Sequence, residues 1–159
     1  MRGRFRLCQW TKRTIRPPSP NRLDRLVLRV EWILLCDAIE VDDGIANITG
    51  AGIDSYEAAS LPLDVKVVMG VMIKGVMDDL QHSVTLSLQG PNPLQVDPPM
   101  DPWPLTADSS PNTPEGWESH LLLPFSVGFR ATEYGTYIVT ASIDNNSESA
   151  LFRIVRPDA

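Results

Sequence analysis

Four carboxylates fall within seven positions, Asp37, Glu40, Asp42 and Asp43, inside the stretch CDAIEVDDGIANITGAG at residues 36 to 52. Gathered at one point, such oxygens would suit a hard cation or a paired general acid and base. The glycine that follows argues differently, because Asp-Gly between two apolar runs favours a two-residue type I′ hairpin turn. With Asp43-Gly44 as that turn, Asp42 faces Ile45, Val41 faces Ala46, Ile39 faces Ile48 and Asp37 faces Gly50. Asp42 and Asp43 then sit at the tip, while Glu40 points outward with Asn47 and Thr49. Asp37 falls on the apolar face with Ile33, Leu35, Ile39, Val41, Ala46 and Ile48, roughly 17 to 20 Å from the tip at about 3.4 Å per residue. One cation cannot hold oxygens so far apart, since its ligands must lie within about 2.6 Å.

Asp37 is therefore the candidate polar residue of the stretch. A carboxylate on a core face has to be hydrogen-bonded, neutral, or exposed at the sheet end. It is either a site acid or a structural aspartate accepting amide protons near Gly50-Ala51-Gly52, where missing side chains leave room.

The other chemistry-bearing residues do not form sets. Cys8, Cys36, His82 and His120 are spaced unlike any zinc motif, and two cysteines in such different settings indicate no disulfide framework. His120 has outward parity on its strand and His82 opens one; both read as surface or edge residues. No nucleophile elbow, phosphate-cradling glycine loop, H-E-x-x-H or C-x-x-C occurs. The expectation is no catalytic residue, no metal and no cofactor. Asn47-Ile48-Thr49 and Asn145-Asn146-Ser147 match the glycosylation pattern, which matters only in a secretory setting. Asp78-Asp79 reads as a solvated turn.

The elements that must carry these residues show period-two alternation, the mark of half-buried strands. In VKVVMGVMIK, Val65, Val67, Met69, Val71 and Ile73 share a face. Val84, Leu86 and Leu88 do so in HSVTLSLQ. Leu121, Leu123, Phe125, Val127 and Phe129 do so in LLLPFSVGF, where Pro124 argues for an edge position. GTYIVTASID places Tyr137, Val139, Ala141 and Ile143 inward; the turn NNSE follows, and ALFRIV returns Ala150, Phe152 and Ile154. DSYEAAS has room for one helical turn. With the pair around residues 30 to 53 the expectation is an all-β, antiparallel, two-sheet β-sandwich, loosely immunoglobulin-like, of about seven strands.

Eight of the fourteen prolines lie between Gly90 and Trp117, with a short strand suggested at LQV. Met100, Trp103 and Trp117 in this Pro-rich loop either present an apolar binding surface or cap the open end of the sandwich.

Charge divides the chain. The first 30 residues hold nine Lys and Arg against Asp24 alone, and the remainder holds 5 basic and 19 acidic residues, a net charge of -14. Such a body repels nucleic-acid phosphates, leaving only the basic tail able to bind them. Residues 1-26 read as a disordered N-terminal extension, with a nucleic-acid arm or a transit-like leader as the other readings. Residues 27-157 read as one domain. No apolar run spans a bilayer, since Arg29 and Glu31 interrupt LVLRVEWILLC, and no secretory signal is apparent; the expected location is cytoplasmic.

WILLCDAIEVDDGIANITGAG resembles the opening of a bacterial and bacteriophage family of unassigned activity, frequent in actinobacteria: an apolar strand, an Ala/Cys-Asp-Ala step, an Asp-Gly-type turn and an Asn-Ile/Leu-x-Gly-Gly/Ala-Gly return. EYGTYIVTASIDNNSESALFRIV is similar to the family's Gly-x-Tyr strand and closing Phe-x-Val strand. The resemblance covers about residues 30 to 156; the Pro-rich loop departs from the pattern. It implies a compact β-sandwich and no catalytic residues.

The function expected from these readings is a non-enzymatic binding or accessory module with a protein partner. The alternatives are a structural or assembly component of a phage or other particle, and a hydrolase or metal-dependent enzyme with a site near Asp37.

Overall fold

The computed structural model describes residues 28–42, 45–76, 81–94, 96–97, 100–105 and 117–157. Within them eleven strands follow one another: β1 (Arg29–Cys36), β2 (Ala38–Asp42), β3 (Ile45–Thr49), β4 (Ser55–Glu57), β5 (Leu63–Val76), β6 (His82–Gln89), β7 (Val96–Asp97), β8 (Trp103–Leu105), β9 (Glu118–Ala131), β10 (Gly135–Ile143) and β11 (Asn146–Val155). They form a four-stranded sheet ordered β1-β5-β9-β7, a five-stranded sheet ordered β4-β11-β10-β6-β8, and the separate hairpin β2-β3. The protein is an all-β two-sheet sandwich. Every pairing is antiparallel except that of β4, which runs parallel to β11.

Alternation builds the core as the sequence implies. Val65, Val67, Met69, Val71 and Ile73 of β5 are buried, as are Tyr137, Val139, Ala141 and Ile143 of β10. Phe129, Tyr137 and Phe152 form an aromatic centre: Tyr137 stacks on Phe152 at 5.4 Å between centroids, and Phe129 lies 5.3 Å from Tyr137. Such pairs contribute about 0.5–1.5 kcal/mol each beyond the area they bury. The Tyr137 hydroxyl donates to the Glu133 carbonyl (2.6 Å), so its polar end is satisfied where β10 begins.

Four expectations change. The strand count exceeds seven because the first strand breaks at Asp37 and because β4, β7 and β8 are short additions at sheet edges. DSYEAAS makes no helical turn: Ser55–Glu57 is β4, held by the Arg153 amide donating to the Asp54 carbonyl and the Ala58 amide to that of Val155. Tyr56 packs edge-on against Phe152 (5.5 Å), a tertiary contact that overrides weak local preference. The last hairpin turns at Asp144-Asn145 rather than in NNSE, since Ile143 pairs with Asn146. Asp144 takes the left-handed conformation (φ 50°), which aspartate tolerates better than most residues.

Pro124 is the fourth. Its strand, β9, is flanked on both sides, but β7 pairs only at Gly128 and Phe129. At Pro124 itself the only strand neighbour among the described residues is β5, opposite Gly70. The proline thus occupies an edge-like stretch of an inner strand, the setting in which sheets tolerate proline.

The Pro-rich segment belongs partly to the sandwich. The two-residue strand Val96–Asp97 overlaps the suggested LQV only at Val96, and Trp103–Leu105 extends the second sheet through pairing with β6, burying Leu105. The basic extension at residues 1-26, the Asp43-Gly44 turn and the Asp78-Asp79 pair lie outside the described residues.

Candidate functional site

The acidic hairpin has the register its sequence implies: Asp42 opposes Ile45, Val41 opposes Ala46, Glu40 opposes Asn47 and Ile39 opposes Ile48. Its described carboxylates, Asp37, Glu40 and Asp42, are spread along the hairpin accordingly. Among the described residues no group of three or more His, Cys, Asp or Glu side chains is placed to hold a metal ion.

Asp37 is not on a core face. It is exposed, at the break between β1 and β2, and its anchor is its own amide, which donates to the Thr49 carbonyl (3.0 Å). The period-two count carried Asp37 inward because it treated residues 32 to 41 as one strand; the backbone bends at Asp37 and restarts the alternation. The glycines act partly as expected. Gly50 is left-handed (φ +63°), and a Cβ there would run into the Asp37 carboxylate, so the missing side chain does make room. The Gly52 amide, however, donates to the Leu35 carbonyl (2.9 Å) rather than to Asp37. The Asp37 charge acts on its neighbours: burial first, and Asp37 second, push the Cys36 thiol and the Tyr56 phenol above their ordinary values.

The histidines have structural roles. His82 Nδ1 lies 3.0 and 3.1 Å from the two Asp144 carboxylate oxygens, tying the start of β6 to the β10–β11 turn. His120 joins a surface lattice in which Glu118 lies 3.8 Å from His120, Lys74 and Arg29, and Lys74 lies 3.3 Å from Glu31. Exposed pairs of this kind contribute at most about 1 kcal/mol each.

The three candidates from the Pro-rich loop separate. Met100 is half-buried and packs on the core, the capping role. Trp117 is exposed just before β9 begins, eight residues from Phe125 along the chain and hence roughly 27 Å away at about 3.4 Å per residue. Trp103 is 54% exposed on β8, the terminal strand of its sheet. Its ring meets that of Phe125 edge-on at 6.1 Å, bridging from one sheet to the other. Phe125 was legible only as a core-face residue; its service as a brace depends on β8 lying across from β9, which no local pattern encodes.

Among the described residues, Trp103 therefore stands on the side of the sandwich bordered by β9 in the first sheet and, in the second, by β8 at His82–Val84 and by β6 itself beyond them. The opposite side is closed. There the Val30 amide donates to Asn146 Oδ1 (2.7 Å), Gly52 and Ile53 amides reach the Leu35 carbonyl, and β4 caps β11. Two of the strands on the open side carry a proline, Pro104 in β8 and Pro124 in β9, both exposed. Prolines at such edges oppose the addition of a further strand. What this side presents is side-chain surface centred on a braced tryptophan.

No family model matches the chain, and no curated protein matches it.

Proposed function

We propose that the chain is an immunoglobulin-type sandwich serving as a non-enzymatic binding or accessory module, with a protein partner engaged at the open side around Trp103. The observation that carries this reading is a large aromatic ring held more than half in solvent by an edge-on contact with Phe125. Tryptophan is the residue most enriched at energetic centres of protein interfaces, and bracing lowers the entropy lost when it is covered.

The immunoglobulin assignment rests on strand order. One sheet reads first, second, fifth and fourth strand in the manner of A-B-E-D, with β1, β5, β9 and β7 in those places. The other reads G-F-C in β11, β10 and β6, with β8 added at the far edge. The Tyr137 hydroxyl bonded to the backbone four residues upstream resembles the tyrosine corner of such domains. Valines, Val67 and Val139, stand buried in the strands that usually carry the inter-sheet disulfide. The resemblance of about residues 30 to 156 to a bacterial and bacteriophage family fits the same reading.

The test is site-specific crosslinking. A photoreactive phenylalanine analogue at position 103 is expected to give one discrete protein adduct in the native host, and the same analogue at Ser149, on the outer face of the second sheet, none. An adduct pattern identical from both positions, or none from position 103, would overturn the proposal. Trp103→Ala should abolish binding to the captured partner while leaving the melting transition in place.

A further inference from the structure

The hairpin β2-β3 forms no strand pairs with either sheet; it lies across the outer face of the first sheet, over β5 and β9. The face beneath it is apolar. Cross-strand rows read Trp32-Met72-Leu122, Leu34-Gly70-Pro124 and Cys36-Val68-Ser126. Gly70 makes a socket in the middle row. A Cβ there would lie 3.1 Å from Ile39 Cδ1, 3.2 Å from Leu122 Cδ1 and 3.8 Å from the Trp32 ring, so Ile39 of the hairpin fills the space that a side chain would take. Cys36 and Ala46 are buried but belong to this outer cluster, outside the main core between the sheets. The molecule thus holds two apolar clusters separated by the thickness of one sheet.

Both ends of the hairpin leave the sheet at one place. Asp37 and Gly50 are adjacent across the hairpin's base, where Asp37 N–H bonds to Thr49 O, and Gly50 and Gly52 both take left-handed conformations. Swinging about this point breaks none of the bonds within the hairpin and none within the main core. Its apolar anchorage is small: Ile39, Ala46 and Ile48 face the sheet, while Val41 and Ile45 remain about half exposed.

We infer that β2-β3 is a hinged strap, which opens as a unit while the sandwich stays folded and so controls access to the apolar outer face at Trp32, Gly70, Met72 and Leu122. Segments with few buried contacts and their own hydrogen bonds open locally, well below the cost of global unfolding. The strap is independent of the Trp103 surface and stands or falls separately from it.

Two readouts test it. Two strands lifted off the sheet are only marginally stable by themselves, so by hydrogen exchange the amides of 38–42 and 45–49 are expected to exchange at least about tenfold faster than those at the centres of β5 and β10. In a Cys8→Ser background, Cys36 becomes a reporter: its thiol lies under the base of the strap and bonds to the Val68 carbonyl (3.8 Å). A thiol reagent should label it in denaturant too dilute to unfold the sandwich. Gly70→Val fills the socket with a residue well suited to a strand, and should speed both readouts without shifting the global transition. Ile39→Ala removes the knob from the strap side and should do the same, which keeps the test intact should the valine variant not fold. Hairpin amides that exchange together with the core, or Cys36 labelled only as fast as the whole domain unfolds in the parent and in Ile39→Ala, would overturn the strap.

Discussion

At the scale of single residues, Gly50 and Tyr137 carry sharp expectations. Gly50→Ala forces a side chain into the left-handed region and against the Asp37 carboxylate. The conformation alone costs roughly 1–2 kcal/mol, so the hairpin's protection from hydrogen exchange should fall by about tenfold or more. Tyr137→Phe deletes the donor to the Glu133 carbonyl. A urea titration should show a loss of about 1 kcal/mol, since a neutral hydrogen bond contributes that much net. Asp37 is the opposite case. Its carboxylate is exposed, and Asp37→Asn should leave stability within about 0.5 kcal/mol by the same titration. The sequence assigned Asp37 the right neighbour, Gly50, because hairpin register follows from the turn and the alternation. It assigned the wrong environment, because whether a backbone continues or bends at one residue is decided by what the next segment packs against.

At the scale of elements, long alternating segments were legible and short edge segments were not. The faces of β5, β6, β9 and β10, and the pairing of β10 with β11, follow from apolar parity, which a one-residue slip would invert. β4 and β8 are three residues each and owe their conformation to partners distant in sequence, β11 and β6. Trp103 inherits its significance from β8 in the same way; its residue type was a signal, its place at the open side was not. Trp103→Phe tests whether the brace or the area matters. If edge-on packing against Phe125 positions the ring, the phenylalanine variant should keep a measurable fraction of partner binding that the alanine variant loses, read by titration calorimetry.

At the scale of the whole molecule, the aromatic centre links the sheets. Phe152 touches Tyr56, Phe129 and Tyr137 within 6.1 Å between ring centroids. Phe152→Ala should cost about 3–5 kcal/mol. Against the 5–15 kcal/mol typical of a domain, that would lower the thermal midpoint by many degrees or leave the chain unfolded, as scanning calorimetry would show. Alkali should weaken the fold as well. Cys36, Tyr56 and Tyr137 all titrate above their ordinary values, chiefly through burial, so the folded state keeps protons that the unfolded chain releases. Their contribution is complete below the ordinary thiol value of 9.0 and is lost as pH rises through and beyond it. Urea midpoints at pH 7 and pH 10 should therefore differ, with the lower value at pH 10.

Pro104 and Pro124 give the open side one more property. A sandwich that leaves two neighbouring sheet borders uncovered is exposed to growth of cross-β fibres, in which each chain templates the next through its backbone. Pro104 removes an amide proton from β8 and Pro124 one from the middle of β9, so a ladder running along either strand would meet a missing donor there. The two prolines thus oppose fibril growth from this surface, and replacing both by valine should speed fibril formation, read by thioflavin fluorescence.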